Sequence, residues 1–423
     1  MNELRRASNI TRREMLVGTA VAVASVGTRQ VAMGEAKPSP APKSVAAIMT
    51  AYRRNLHADV LVGKILEGWK QDGGPGPALS LASMYVDQFP DGDLARAISQ
   101  KYNVPIFDTI EQALTVGGDR IGVDGVLSIG EHGDYPYNEK GQHLYPRRRF
   151  FEEITDTFQK YNQVVPVFSD KHLGPEWHDA QWMYNRAREL QVPFMAGSSL
   201  PVGFRVPNLT PPMGAEIESA IAIGYSGLDI YGIHALEFLQ SLVERRRGAE
   251  QGVQSVQALQ GEAMWEAVDN HVPPDVLEAA LAVTPQRDGV EMRDSRDATL
   301  FLFQYRDGLM GSILMLPAFA LGTAVALRIK GQEKPLATRF DERSEPRYPH
   351  FAYLLKGIER MIHTGRPSYP VERTLLTSGI LDRALTSLAE GQTRLETPEL
   401  AIPYQPVDYP HAPEPRLDAD PTS

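Results

Sequence analysis

Residues 164–197 read VVPVFSDKHLGPEWHDAQWMYNRARELQVPFMAG, and three patterns follow one another in that stretch. Val164–Phe168 is an apolar, strand-like run, Pro175–Leu190 carries helical spacing, and Pro193–Ala196 is a second short apolar run. Strand, polar loop, helix and strand in so short a span make one βαβ unit. The loop Ser169-Asp170-Lys171-His172 falls where strand gives way to helix, which is where open α/β sheets hold their ligands.

The same rhythm runs upstream. Strand-like runs at Val45–Tyr52, Leu79–Val86, Pro105–Phe107 and Gly125–Ile129 alternate with helical patterns at His57–Trp69, Asp93–Tyr102, Thr109–Leu114 and Phe150–Tyr161. This predicts a doubly wound parallel sheet over residues 45–200, covered by helices on both faces. Beyond residue 200 the rhythm changes. Gly227–Arg245 reads as one helix, Ala298–Leu316 as two strands folded over Arg306-Asp307-Gly308, and Val325–Lys330 as a strand. Phe351, Leu354, Leu355, Ile358 and Ile362 share one helical face. The expectation for 201–374 is a C-terminal α+β domain with a mostly antiparallel sheet, which the resemblance described below makes open and substrate-binding. Residues 375–404 are expected to form a helix and strand packing back on the core, and 405–423 an irregular tail.

The N-terminus carries a different signal. Arg12-Arg13 precedes an apolar run from Met15 to Val26, closed by Arg29 and a small-residue stretch ending near Ala36. That order reads as a twin-arginine signal peptide over 1–36, followed by a Pro-rich linker at 37–44. The run falls short of the roughly 20 residues a membrane span needs, so no membrane anchor is expected. The implied partner is the twin-arginine (Tat) translocase, and the implied location is periplasmic or extracytoplasmic.

Composition narrows the chemistry. The 423 residues contain no Cys, which removes thiolate ligands and a cysteine nucleophile. A formal net charge of −10 argues against a nucleic-acid partner. Arg147-Arg148-Arg149 and Arg245-Arg246-Arg247 read as solvated helix or loop faces, with a phosphate or carboxylate site as the alternative.

Five polar loops are predicted to meet at one sheet edge. They carry Arg53, Arg54, Asn55 and His57; Asp87 and Gln88; Glu131 to Tyr135; Asp170 to His172; and Ser198 with Ser199. His132, Tyr135, Asn138, Asp170 and His172 offer the dense donors and acceptors that suit a hydroxyl-rich ligand. Glu131, His132, Asp170, His172 and His57 have metal-ligand chemistry, but no standard metal spacing is present, so no metal is assigned.

Ser169-Asp170-Lys171-His172-Leu173 resembles the Glu-Lys-Pro loop of the glucose-fructose oxidoreductase, inositol dehydrogenase and rhizopine-catabolism (Gfo/Idh/MocA) family. The likeness extends to Val192–Gly197, to the helix Gly227–Glu237 and to Leu376–Ser387. It implies a Rossmann domain plus a C-terminal α/β domain, NAD or NADP as cofactor, and a sugar or polyol as substrate. By the same resemblance Lys171 polarises the reacting oxygen and His234 moves its proton. Glu237, three residues on and so on the same helical face, orients that histidine. Arg53, Asn55, His57, Asp87 and Glu131 stand where the cofactor would lie. An open second sheet invites a homodimer or tetramer.

Two departures accompany the likeness. The turn Ala51–His57 holds no glycine, where the family brings backbone amides close to a pyrophosphate. Ile230, not an aspartate, stands four residues before His234, and Asp229 stands five before it. The alternatives to a dehydrogenase are a cofactor-independent or metal-dependent carbohydrate hydrolase or lyase, and a non-catalytic sugar-binding protein.

Overall fold

The computed structural model describes residues 41–412; the stretch 1–36 read as an export signal lies outside them, as do residues 413–423. Its architecture follows from the first strand. In β1 (Lys43–Met49) Ala46 and Ile48 enter one hydrophobic core while Val45, Ala47 and Met49 enter another. A strand apolar on both faces must be covered on both. The chain does this by alternating α1 (His57–Glu67), β2 (Leu79–Val86), α2 (Ala95–Tyr102), β3 (Ile106–Phe107), α3 (Ile110–Thr115), β4 (Gly125–Ile129), α4 (Arg147–Tyr161), β5 (Val167–Asp170), α5 (Trp177–Glu189) and β6 (Phe194–Gly197). The strands lie in the order β3-β2-β1-β4-β5-β6 and every neighbouring pair is parallel. The chain direction across the sheet reverses between β1 and β4, the switch point at which such sheets open a crevice.

The second sheet is built from β7 (Arg205–Val206), β8 (Ile217–Gly224), α6 (Leu228–Val243), β9 (Val253–Gln260), α7 (Gly261–His271), α8 (Pro274–Val283), β10 (Thr299–Tyr305), β11 (Met310–Met315), β12 (Ala324–Ile329), β13 (Leu336–Phe340), α9 (His350–Thr364), α10 (Glu372–Ala389) and β14 (Leu395–Glu396). Its strand order is β14-β9-β10-β11-β8-β12-β13-β7, and only β8 and β11 run parallel. The molecule is therefore a Rossmann-like parallel sheet joined to a mostly antiparallel open sheet.

Helix α9 joins the two halves. Phe351, Leu354, Leu355, Ile358 and Met361 share the core that holds Val45, Ala47 and Met49, alongside Val60 and Leu61 of α1. The second domain thus lends a helix to the first sheet and brings the N-terminus of α9 to its edge. Helix α10 packs on α5, α6 and β9. No helix among the described residues is long and apolar enough to cross a membrane.

Candidate functional site

The loops following β1, β4, β5 and β6 meet α6 and the start of α9 around a cavity of about 220 Å³. The first sheet contributes Asn55, His57, His132, Lys171 and Ser199; the second half contributes Tyr225, Tyr231, His234, Glu342 and His350. Three of these hold left-handed backbone: Asn55 (φ 63°), His132 (φ 70°) and Lys171 (φ 62°). Non-glycine residues rarely adopt that conformation, and they concentrate where a structure holds a functional group in place. Buried nitrogens of His132, His234 and His350 lack a hydrogen-bond partner among the described residues. Such atoms are costly unless something polar meets them.

Two charge systems support the cavity. In the first, Glu131 accepts from Arg147 and lies 2.9 Å from the Lys171 ammonium, with all three side chains almost fully buried. Burial pushes the Glu131 carboxyl up, but Lys171 and Arg147 outweigh it and hold the group well below the carboxylate range. Arg147 also reaches His172 at 3.3 Å, and burial, followed by Arg147, keeps that imidazole neutral. In the second, Nδ1 of His57 lies 2.5 Å from Asp170, whose side chain is fully buried. The contact makes Nδ1 the donor to that carboxylate and fixes the orientation of the ring. Burial lowers His132 to about 4 and His350 to about 3 and drives His234 well below its ordinary value, so these three are neutral bases at neutral pH.

The other end of the edge is closed. Asp87 accepts from Tyr85 and Tyr135, each at 2.6 Å, and from Arg149 at 2.5 Å, so both its oxygens are occupied. Gln88 makes paired hydrogen bonds with the backbone of Asp134. Gly133, at φ 107°, permits this fit, because a Cβ there would sit 2.7 Å from the Tyr135 ring and 3.0 Å from Gln88. The β1–α1 turn is also tied down: Thr50 donates to the Glu131 carbonyl, Tyr52 is fully buried, and the Asn55 amide donates to Asp59.

The structure separates the residues that the sequence grouped. Lys171, His234, His57, Asn55 and His132 line one cavity, and Asp170 and Glu131 brace it from behind. Glu237 does something other than orient His234: its carboxylate accepts from the Ser198 amide and the Thr374 hydroxyl. Gly197, at φ 120°, leaves the room for it, since a Cβ would lie 2.7 Å from that carboxylate. Asn138 closes its own turn with Lys140 and Gln142, away from the cavity. Tyr135 is spent on Asp87, and Arg53 does not line the cavity. Arg147 and Arg149, read from sequence as solvated, hold Glu131 and Asp87. Among the described residues the group close enough to share a cation is Glu176, His178 and Asp179, at the start of α5 and outside this cavity. The roles of His350, Tyr225, Tyr231 and Glu342 carried no sequence signal, being isolated side chains on elements distant in the chain.

The residues suit one end of a nicotinamide dinucleotide directly. Lys171, His234 and the start of α1 border the cavity where the nicotinamide and substrate would meet. At the adenosine end Asp87 is the ribose-binding type of residue, but Tyr135 and Arg149 must release it first.

No family model matches the sequence, and no curated protein is detectably similar to it. Solved structures do share the fold. GenD2 from gentamicin A biosynthesis, solved in complex with NAD, is 13% identical with a TM-score of 0.54, covering 85% of this chain and 97% of its own. A probable dehydrogenase from Thermotoga maritima is 13% identical with a TM-score of 0.52, covering 84% and 99%. A myo-inositol dehydrogenase from Corynebacterium glutamicum is 12% identical with a TM-score of 0.51, covering 84% and 98%. At these identities the likeness is one of fold: a Rossmann-like parallel sheet joined to a mostly antiparallel open sheet.

Proposed function

We propose that this chain is an exported oxidoreductase of the Gfo/Idh/MocA type that acts on a sugar or polyol with NAD or NADP. The observation that carries the reading is the meeting of Lys171, His234 and the His57–Asp170 pair at one polar cavity, at the carboxyl ends of the parallel strands. The fold supports it, since GenD2, with the same architecture, was solved with NAD. The Asn55 side-chain amide and the first-turn amides of α1 would hold the pyrophosphate. The dinucleotide, when bound, supplies the hydride acceptor or donor.

The chain's own residues handle the proton. Lys171, anchored on Glu131, donates a hydrogen bond to the reacting oxygen and favours its developing negative charge. His234, neutral in its buried place, accepts a hydrogen bond from the reacting hydroxyl at a ring nitrogen. His57 offers Nε2 as a second acceptor, with Asp170 stabilising the imidazolium that forms. The remaining hydroxyls of a polyol meet the unpaired nitrogens of His132 and His350 and the hydroxyls of Tyr225 and Tyr231.

A second reading keeps the cavity and drops the dinucleotide. It is favoured by Asp87, whose oxygens are already satisfied, and by the side-chain-filled β1–α1 turn. The same imidazoles then serve a lyase or hydrolase. A panel of sugars and polyols with NAD or NADP separates the two. Formation of reduced nicotinamide, abolished by Lys171→Met, supports the oxidoreductase; turnover of a sugar without any dinucleotide supports the second reading. No turnover, with sugar bound, would leave a binding protein.

Export by the twin-arginine route is part of the proposal and rests on Arg12-Arg13 with the apolar run after it. Replacing both with lysine should retain the protein in the cytoplasm, and normal export of that variant would remove the claim.

A further inference from the structure

A second cavity, of about 250 Å³, lies on the far side of the short turn Leu200–Val202: Ser199 and Leu200 border the first, Pro201 and Val202 the second. Three arginines line it, Arg205 from β7, Arg245 from the turn that follows α6, and Arg373 from α10. Their charges are not matched equally. Arg373 pairs with Glu244 through two nitrogens, and Arg245 pairs with Asp408 at 2.7 Å. Arg205 is 6% exposed, and among the described residues no carboxylate pairs with it. Its donors go to neutral oxygens, the Thr210 hydroxyl at 2.7 Å and the Pro201 carbonyl at 2.9 Å.

An arginine buried without a counter-charge is costly, because neutral acceptors recover only part of its hydration. Burial, then the nearby Arg245 and Arg373, lowers Arg205 to about 9. His411 lines the same cavity, and burial followed by Arg205 and Arg245 holds it neutral at about 3. Its ring nitrogens already meet Thr210 and Asn208, so it helps shape the cavity without adding positive charge. Among the described residues three cations face two carboxylates here, and one carboxylate, Asp408, is 70% exposed.

We propose that this cavity is a binding site for a small oxyanion, either free phosphate or the phosphoryl group of a small metabolite, with Arg205 as its counter-charge. Arginine suits this task because its planar fork donates two parallel hydrogen bonds to such a group. The site is independent of the activity proposed above, since none of its residues lines the first cavity.

The test is calorimetric titration of the purified protein with inorganic phosphate, repeated with a small phosphorylated sugar and with chloride at equal ionic strength. Saturable uptake of one phosphate per chain, absent with chloride and reduced about tenfold or more in Arg205→Gln, is the expected result. Tighter binding of the phosphorylated sugar would identify the metabolite as the source; equal binding would identify free phosphate. The wild-type titration stands by itself should Arg205→Gln fail to fold, and Thr210→Val serves as a milder variant with a smaller loss. Absence of saturable uptake in wild type, or unchanged affinity in a folded Arg205→Gln, would overturn the proposal.

Discussion

The two ends of the parallel sheet's edge are built from the same kinds of residue and are left in opposite states. Around Asp87 each acceptor has its donor: Tyr85, Tyr135 and Arg149 fill the carboxylate, and Gln88 closes on Asp134. Around Lys171 the charges are matched behind the cavity while imidazole nitrogens in front of it lack partners. Where the carboxylate at one end is filled and several imidazole nitrogens facing one cavity at the other are not, the cavity is the place where a ligand would complete the hydrogen bonding.

The largest expected effect is at the unsatisfied end. Lys171→Met should lower kcat by about 10²–10⁴-fold with the fold retained, as expected for loss of a group acting on the reacting oxygen; steady-state kinetics and circular dichroism check it. Arg147→Met removes a counter-charge from buried Glu131 and should cost about 3–5 kcal/mol in urea unfolding. A cost near zero would show that Lys171 alone suffices.

Acid sharpens the contrast further. His350 is depressed to about 3 in the fold against an ordinary value near 6.5, so the unfolded chain takes up its proton first as pH falls. The associated stability is intact above about pH 6.5 and is lost progressively toward pH 3. Between pH 7 and pH 5 the unfolding free energy should fall by about 1–2 kcal/mol through this residue, and His350→Gln should flatten that part of the profile.

At the saturated end, Tyr135→Phe removes one donor from Asp87. It should cost about 1 kcal/mol of stability and tighten NAD or NADP binding severalfold, because the ribose no longer has to displace that hydroxyl. Weaker binding would instead place Tyr135 on the ligand. The smallest effect is expected at Asn138, whose side chain serves only its own turn; Asn138→Ala should leave activity unchanged.

The same contrast explains what could be read from sequence. The parallel sheet was legible because each strand is an apolar run followed by a polar loop and a helix, and the Asp170–His172 loop was recognisable by its place in that rhythm. The strands Ile217–Gly224 and Val253–Gln260 gave no clear signal: their residues are small or alternately polar, and antiparallel pairing depends on partners far along the chain. The pairing of His57 with Asp170 spans 113 positions, and no local pattern encodes it. Arg147 was misread for a physical reason. Three consecutive arginines at a helix start look solvated, yet successive positions point about 100° apart, so one enters the core while its neighbour Arg148 stays partly exposed.

Native mass spectrometry of the purified chain, before and after addition of NAD, NADP and a polyol, tests the central claim most directly. The account predicts one dinucleotide per chain, retained from the cell or taken up on addition, and a ternary complex with polyol that Lys171→Met weakens. A chain that takes up polyol but neither dinucleotide at any concentration would contradict it and leave the cavity as an acid–base site on a scaffold without its cofactor.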